Sequence, residues 1–152
     1  MKRQSGIGLV EIMVTVVIVS VSILATIRLQ AGSLQDNHQA WLRSCADMMA
    51  NDMFERLLAN SNAALAGSYE HAEGGSIPSA SNTSMAQVDL RQWLNLLASQ
   101  LPGGDGSVTC TSAGMCTVSV YWTDPSIEDD TNSDGAVDED DQQTSIRLVS
   151  AL

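Results

Sequence analysis

The chain has 152 residues, 7 of them Lys or Arg and 18 Asp or Glu, for a formal net charge of -11. That length supports one domain with a modest core, and the acidic excess disfavours direct nucleic-acid binding, which depends on neutralising phosphates. A mean hydropathy of +0.02 averages two unlike regions: residues 7–27 are almost wholly apolar, and everything after Arg28 has the mix of a soluble protein.

The apolar run is about 20 residues long, which as a helix spans roughly 30 Å, the thickness of a bilayer's hydrocarbon core. Lys2 and Arg3 precede it, which favours a cytoplasmic N-terminus with the bulk of the chain outside. An ordinary secretory signal peptide and a plain single-span anchor are the competing readings. The first fits poorly, because the run exceeds a usual signal core, lacks a clear small-x-small cleavage site and contains Glu11. A carboxylate inside a membrane span costs a few kcal/mol near the centre, so a functional partner for Glu11 is the default expectation.

The pattern Gly6–Ile7–Gly8–Leu9–Val10–Glu11, with basic residues before it and an unbroken apolar run after it, resembles the prepilin signal of type IV pilins and type II secretion pseudopilins. The resemblance implies that a membrane peptidase cuts after Gly6 and methylates the new amine on Ile7. Glu11 then becomes the fifth mature residue; Ile7 stands where the family usually has Phe. The physical logic agrees. Gly6 lets a peptidase approach the backbone closely, and a neighbouring subunit's Glu11 would neutralise the cation at Ile7 in a low-dielectric fibre core.

From Arg28 to Ala66 there is no proline, and Leu34, Trp41, Leu42, Cys45, Met49, Met53 and Leu57 recur at helical steps. This stripe is expected to be core, the spine of a soluble head, with Gly67 as the stop. Arg43–Asp47 and Asp52–Arg56 have the spacing of weak ion pairs. Residues 68–83 are rich in Ser, Gly, Asn and Ala and read as a loop. Ser84 and Gln87 form a candidate capping box for a second helix reaching Gln100, with Leu90, Trp93, Leu94, Leu97 and Leu101 on one face. Leu101–Pro102–Gly103–Gly104 ends it.

Strand alternation follows in Val108–Ser112, in Cys116–Trp122 beyond Ala113–Gly114, and near Thr144–Ser150, where Ile146 and Leu148 share a side. The expected fold is α+β and type IV pilin-like: a long N-terminal helix, its N-terminal half transmembrane, packed on a small antiparallel sheet. Its parts are a leader 1–6, a transmembrane stretch 7–27, a soluble helical stretch 28–66 and a head 67–152 containing an acidic loop 124–143. The three cysteines lie in an exported segment, where oxidation is permitted. Cys110 and Cys116 flank the hairpin turn and are the favoured disulfide, leaving Cys45 as a buried thiol; pairing of Cys45 with Cys110 or with Cys116 stays open.

Between the last two strands, residues 130–141 follow the spacing of an EF-hand or dockerin-like calcium loop. Asp130, Asn132, Asp134, the Ala136 carbonyl, Asp138 and Asp141 are the candidate ligands, and Gly135 allows the sharp turn. A solvated acidic loop that happens to fit is the bland alternative. No cofactor is required on this reading, calcium being the one ion the sequence offers to hold.

The stretches 46–60 and 63–69, then Trp93, residues 101–108 and residues 118–124, resemble in this order the minor pilins known as type IV pilus modification proteins (PilV-type). That resemblance implies a structural subunit, not an enzyme, which helps to initiate pilus assembly and sits at or near the fibre tip, with motility and adhesion following. Its implied partners are other minor pilins, the major pilin, the prepilin peptidase and the inner membrane, with the head periplasmic before export into the fibre. A type II secretion pseudopilin and a calcium-responsive anchored adhesin are the rival readings.

Overall fold

The computed structural model describes residues 8–81, 83–124 and 142–152. Its elements run α1 (Leu9–Ala59), α2 (Ser61–Leu65), α3 (Met85–Gln100), β1 (Asp105–Cys110), β2 (Met115–Thr123) and β3 (Gln143–Ala151). The chain divides into two compact units, residues 1–38 and 39–152.

In the first unit α1 is a single unbroken helix, and it is long and apolar enough to cross a membrane. Its apolar surface is bare: Leu9, Val10, Val17 and Leu24 all expose more than half their area. The hydroxyls in this stretch are turned inward. Thr15 donates to the Ile12 carbonyl (2.9 Å), Ser20 to Val16 (2.7 Å), Ser22 to Ile18 (2.9 Å) and Thr26 to Ser22 (2.9 Å). Such back-bonding satisfies a polar group that hydrocarbon would leave unpaired.

In the second unit the rest of α1, α3 and the sheet share one core, built on Leu42, Met53, Leu57, Trp93, Val118 and Trp122. The stripe on α1 is core from Leu42 onward, but Trp41 is 52% exposed, and Leu34, in the first unit, is 71% exposed. Helical periodicity marks a face, and only packing says how far along that face the core extends. Of the two ion-pair spacings, Asp52–Arg56 closes at 2.9 Å; among the described residues Arg43 makes no pair with Asp47.

The soluble helical stretch does not run unbroken to Ala66. It stops at Ala59, because Asn60 leaves helical geometry (φ -129°, ψ 46°) and the chain restarts as the short α2. Asn60 spends its side-chain amide on the Tyr69 hydroxyl (3.2 Å), while its carbonyl accepts from Ala63 and Ala64. Gly67, at φ 76°, then turns the chain away in the left-handed region that glycine tolerates.

Ser84 caps α3 by accepting from the Gln87 amide (3.4 Å), but the reciprocal half of a capping box is diverted: the Gln87 side chain donates to the Ser68 carbonyl (3.2 Å). Leu90, Trp93, Leu94, Leu97 and Leu101 are all buried. The sheet has the order β1-β2-β3 and is antiparallel throughout. Its core face carries Gly106 and Val108 opposite Val120 and Val118, which in turn face Ile146 and Leu148. The α+β arrangement expected from the sequence is the one present.

Candidate functional site

Glu11 lies in the first turn of α1. Gly8 starts that turn with its carbonyl, which accepts from the amides of Glu11 (3.0 Å) and Ile12 (3.3 Å). A carboxylate one turn from a helix N-terminus is favoured by the unsatisfied amides and the helix dipole there. The helix thus supplies a local reason to tolerate an acid at the head of an otherwise apolar surface. Glu11 is exposed, as are the apolar residues that follow it, so its carboxylate is open to a group brought by another molecule. Gly6 and Ile7, the expected cleavage point and new N-terminus, lie outside the described residues.

Cys110 and Cys116 face each other in the β1–β2 register and are joined by a disulfide across a Cα–Cα distance of 4.1 Å. The turn they close is made by Gly114 (φ 87°), whose amide donates to Thr111 O (3.0 Å). Cys45 is a free thiol. It is half-buried, packed against the core, where the sequence suggested a buried thiol. The calcium-ligand candidates Asp130, Asn132, Asp134, Ala136, Asp138 and Asp141 lie outside the described residues.

A buried polar group was not anticipated from the sequence. Tyr69 is wholly buried, and its hydroxyl donates to Asp89 Oδ2 (2.6 Å). The other Asp89 oxygen meets Arg56 Nη1 at 3.3 Å, and that guanidinium also reaches Gln92 Oε1 (3.3 Å) and Asp52 Oδ2 (2.9 Å). Burial first, and then the bond to Asp89, push the Tyr69 phenol up to about 12. The network fastens α1, the turn after α2 and α3 to one another. A signal was there to read: Asp89 sits on the same helical face as Ala86, Leu90 and Trp93, and a lone carboxylate on an apolar face needs a partner.

Comparison with curated proteins and with solved structures returns no match to this chain. Comparison with protein families matches residues 1–27 to the Prokaryotic N-terminal methylation motif. The match spans the basic start, Gly6, Ile7, Glu11 and the apolar run. The N-terminus of this chain is therefore similar to the N-terminal methylation motif, the kind of signal found in type IV pilin-like prepilins.

Proposed function

We propose that the chain is a minor pilin of a type IV pilus, a structural subunit that helps to start the fibre and sits at or near its tip. The motif implies processing by a prepilin peptidase and assembly with other pilins, and it supports a structural role. Cleavage after Gly6 would leave a cationic amine on Ile7. The observation that carries the reading is Glu11, an exposed carboxylate in the first turn of a bare apolar helix whose beginning lies within that motif.

The mechanism follows from charge and dielectric. In the bilayer the helix stores the subunit with its head outside. On entering a fibre, Glu11 of one subunit neutralises the amine of a neighbour, which offsets the cost of burying either alone. The head supplies lateral contacts, and the stretches 46–60, 63–69, 101–108 and 118–124 support the minor-pilin reading over the pseudopilin one. The acidic loop at 130–141 supports calcium as an accessory ion.

Intact-mass and N-terminal analysis of the protein from its native membrane tests this. The expected mature chain begins at a methylated Ile7. A chain still starting at Met1 would overturn the assignment, as would a Glu11→Gln variant that enters fibres as well as the original. Enrichment with secretion components in place of pilus subunits would move the reading to a pseudopilin.

A further inference from the structure

The two edges of the sheet are treated differently by the fold. Val108 on β1 is paired by His71, with bonds in both directions (His71 N to Val108 O, 3.0 Å; Val108 N to His71 O, 2.9 Å). That edge is occupied at its middle. The opposite edge belongs to β3, nine residues in regular register with β2, without proline or a break.

The phase of the hydrogen bonds tells which groups face outward. Asp124 N donates to Gln142 O (2.7 Å) and Leu152 N to Gly114 O (2.8 Å). These two pairs continue the β2–β3 register by one residue at each end, so the even-numbered residues of β3 direct their backbone groups to β2. The odd-numbered ones, Ser145, Arg147 and Val149 in the middle of the strand, direct theirs away. Among the described residues nothing pairs with them. A long open edge of this kind is a template for another strand, and proteins ordinarily blunt it.

The side chains narrow the occupant. Arg147 is the only charge on β3 and stands at its midpoint, exposed. On the core face Ile146 and Leu148 are only partly buried, so the apolar layer is incomplete at this edge. A second copy of the chain, pairing symmetrically about the strand centre, would set Arg147 against Arg147, and two chains of net charge -11 would meet. We propose that β3 accepts an extended segment of a different protein, with apolar residues at alternate positions over Ile146 and Leu148 and a carboxylate opposite Arg147. Main-chain bonds would supply affinity and the charge would select the partner. The inference stands on the head alone and does not depend on the pilin reading.

The test uses the full chain in detergent and two synthetic peptides, Ser-Val-Thr-Val-Glu-Val-Thr-Val-Ser and the same peptide with a central Lys. Hydrogen exchange is followed at single amides. The expected result is fast exchange at Ser145, Arg147 and Val149 in the free chain, and protection of all three by the Glu peptide. The Lys peptide should bind on the order of fivefold more weakly, and Arg147→Glu should reverse the preference. Val149→Pro, which removes a donor from the open edge only, should abolish protection while the melting temperature stays near that of the original. Should that variant fail to fold, the Arg147→Glu reversal decides. Absence of protection by either peptide overturns the proposal, as does a preference indifferent to Arg147→Glu. Concentration-dependent protection of the same amides without peptide would make a second copy the occupant and also overturn it.

Discussion

Gly106 is a buried residue of β1 with no side chain, and the space in front of it belongs to α3. A Cβ built there would stand on the six-membered ring of Trp93 and 2.8 Å from Leu97 Cδ1. Trp93 has little freedom to retreat: it is fully buried, and its indole N–H donates to the Met49 carbonyl of α1 at 2.9 Å. Gly106→Ala therefore has two ways to be accommodated. Overpacking without ring movement costs about 1–3 kcal/mol. Swinging the ring instead breaks a buried hydrogen bond and strands a donor, at a cost of about 1–3 kcal/mol. Whichever route is cheaper, the expected loss is about 1–3 kcal/mol, an appreciable share of the stability of an ordinary domain. Urea unfolding of the full chain in detergent, followed by tryptophan fluorescence, measures it. A double-mutant cycle sharpens the test, because Trp93→Leu empties the space the new methyl needs and should make Gly106→Ala nearly silent. A loss below about 0.5 kcal/mol, within the usual range for uncoupled surface changes, or full additivity of the two substitutions, would refute the packing account.

The raised Tyr69 phenol makes stability depend on pH. Its folded value of about 12 lies above the ordinary 10.0. The stabilisation is therefore complete below pH 10 and is lost as pH rises towards 12, by up to roughly 3 kcal/mol. Melts across pH 9 to 11.5 should show a steeper decline for the original than for Tyr69→Phe, and equal slopes would sink the idea. Replacing Cys110 and Cys116 by Ser removes a short closed loop and should lower stability by about 2 kcal/mol, read as a fall in urea midpoint with unchanged slope. Millimolar calcium should raise the melting temperature, and Asp134→Ala should cancel the rise; no shift in the original protein would leave the acidic loop a solvated one.

Much of the head was legible because alternation and helical spacing are local. The capping Ser84, the end of α3 at the Pro102–Gly103–Gly104 stop and the face of Ile146 and Leu148 follow from neighbours in sequence. Three features were hidden because they depend on distant atoms. The helix breaks at Asn60, whose side chain bonds to Tyr69, nine residues on. Leu34 and Trp41 share the period of Leu42 and Met53, yet both stay largely exposed. Asp89 and Arg56 are 33 residues apart, and nothing in either segment alone says that they meet. At the N-terminus, Glu11 could be singled out from its chemistry, since a carboxylate in an apolar run is conspicuous. Its place in the first helical turn adds why the backbone tolerates it.

The hydroxyls of Thr15, Ser20, Ser22 and Thr26 are each committed to their own backbone. The cylinder they decorate is consequently almost uniformly greasy, offering no polar address by which one flank could be told from another. Rotation about its long axis then changes little, in lipid or beside another such cylinder. Within that apolar stretch Glu11, in the first helical turn, is the one charge that breaks the uniformity.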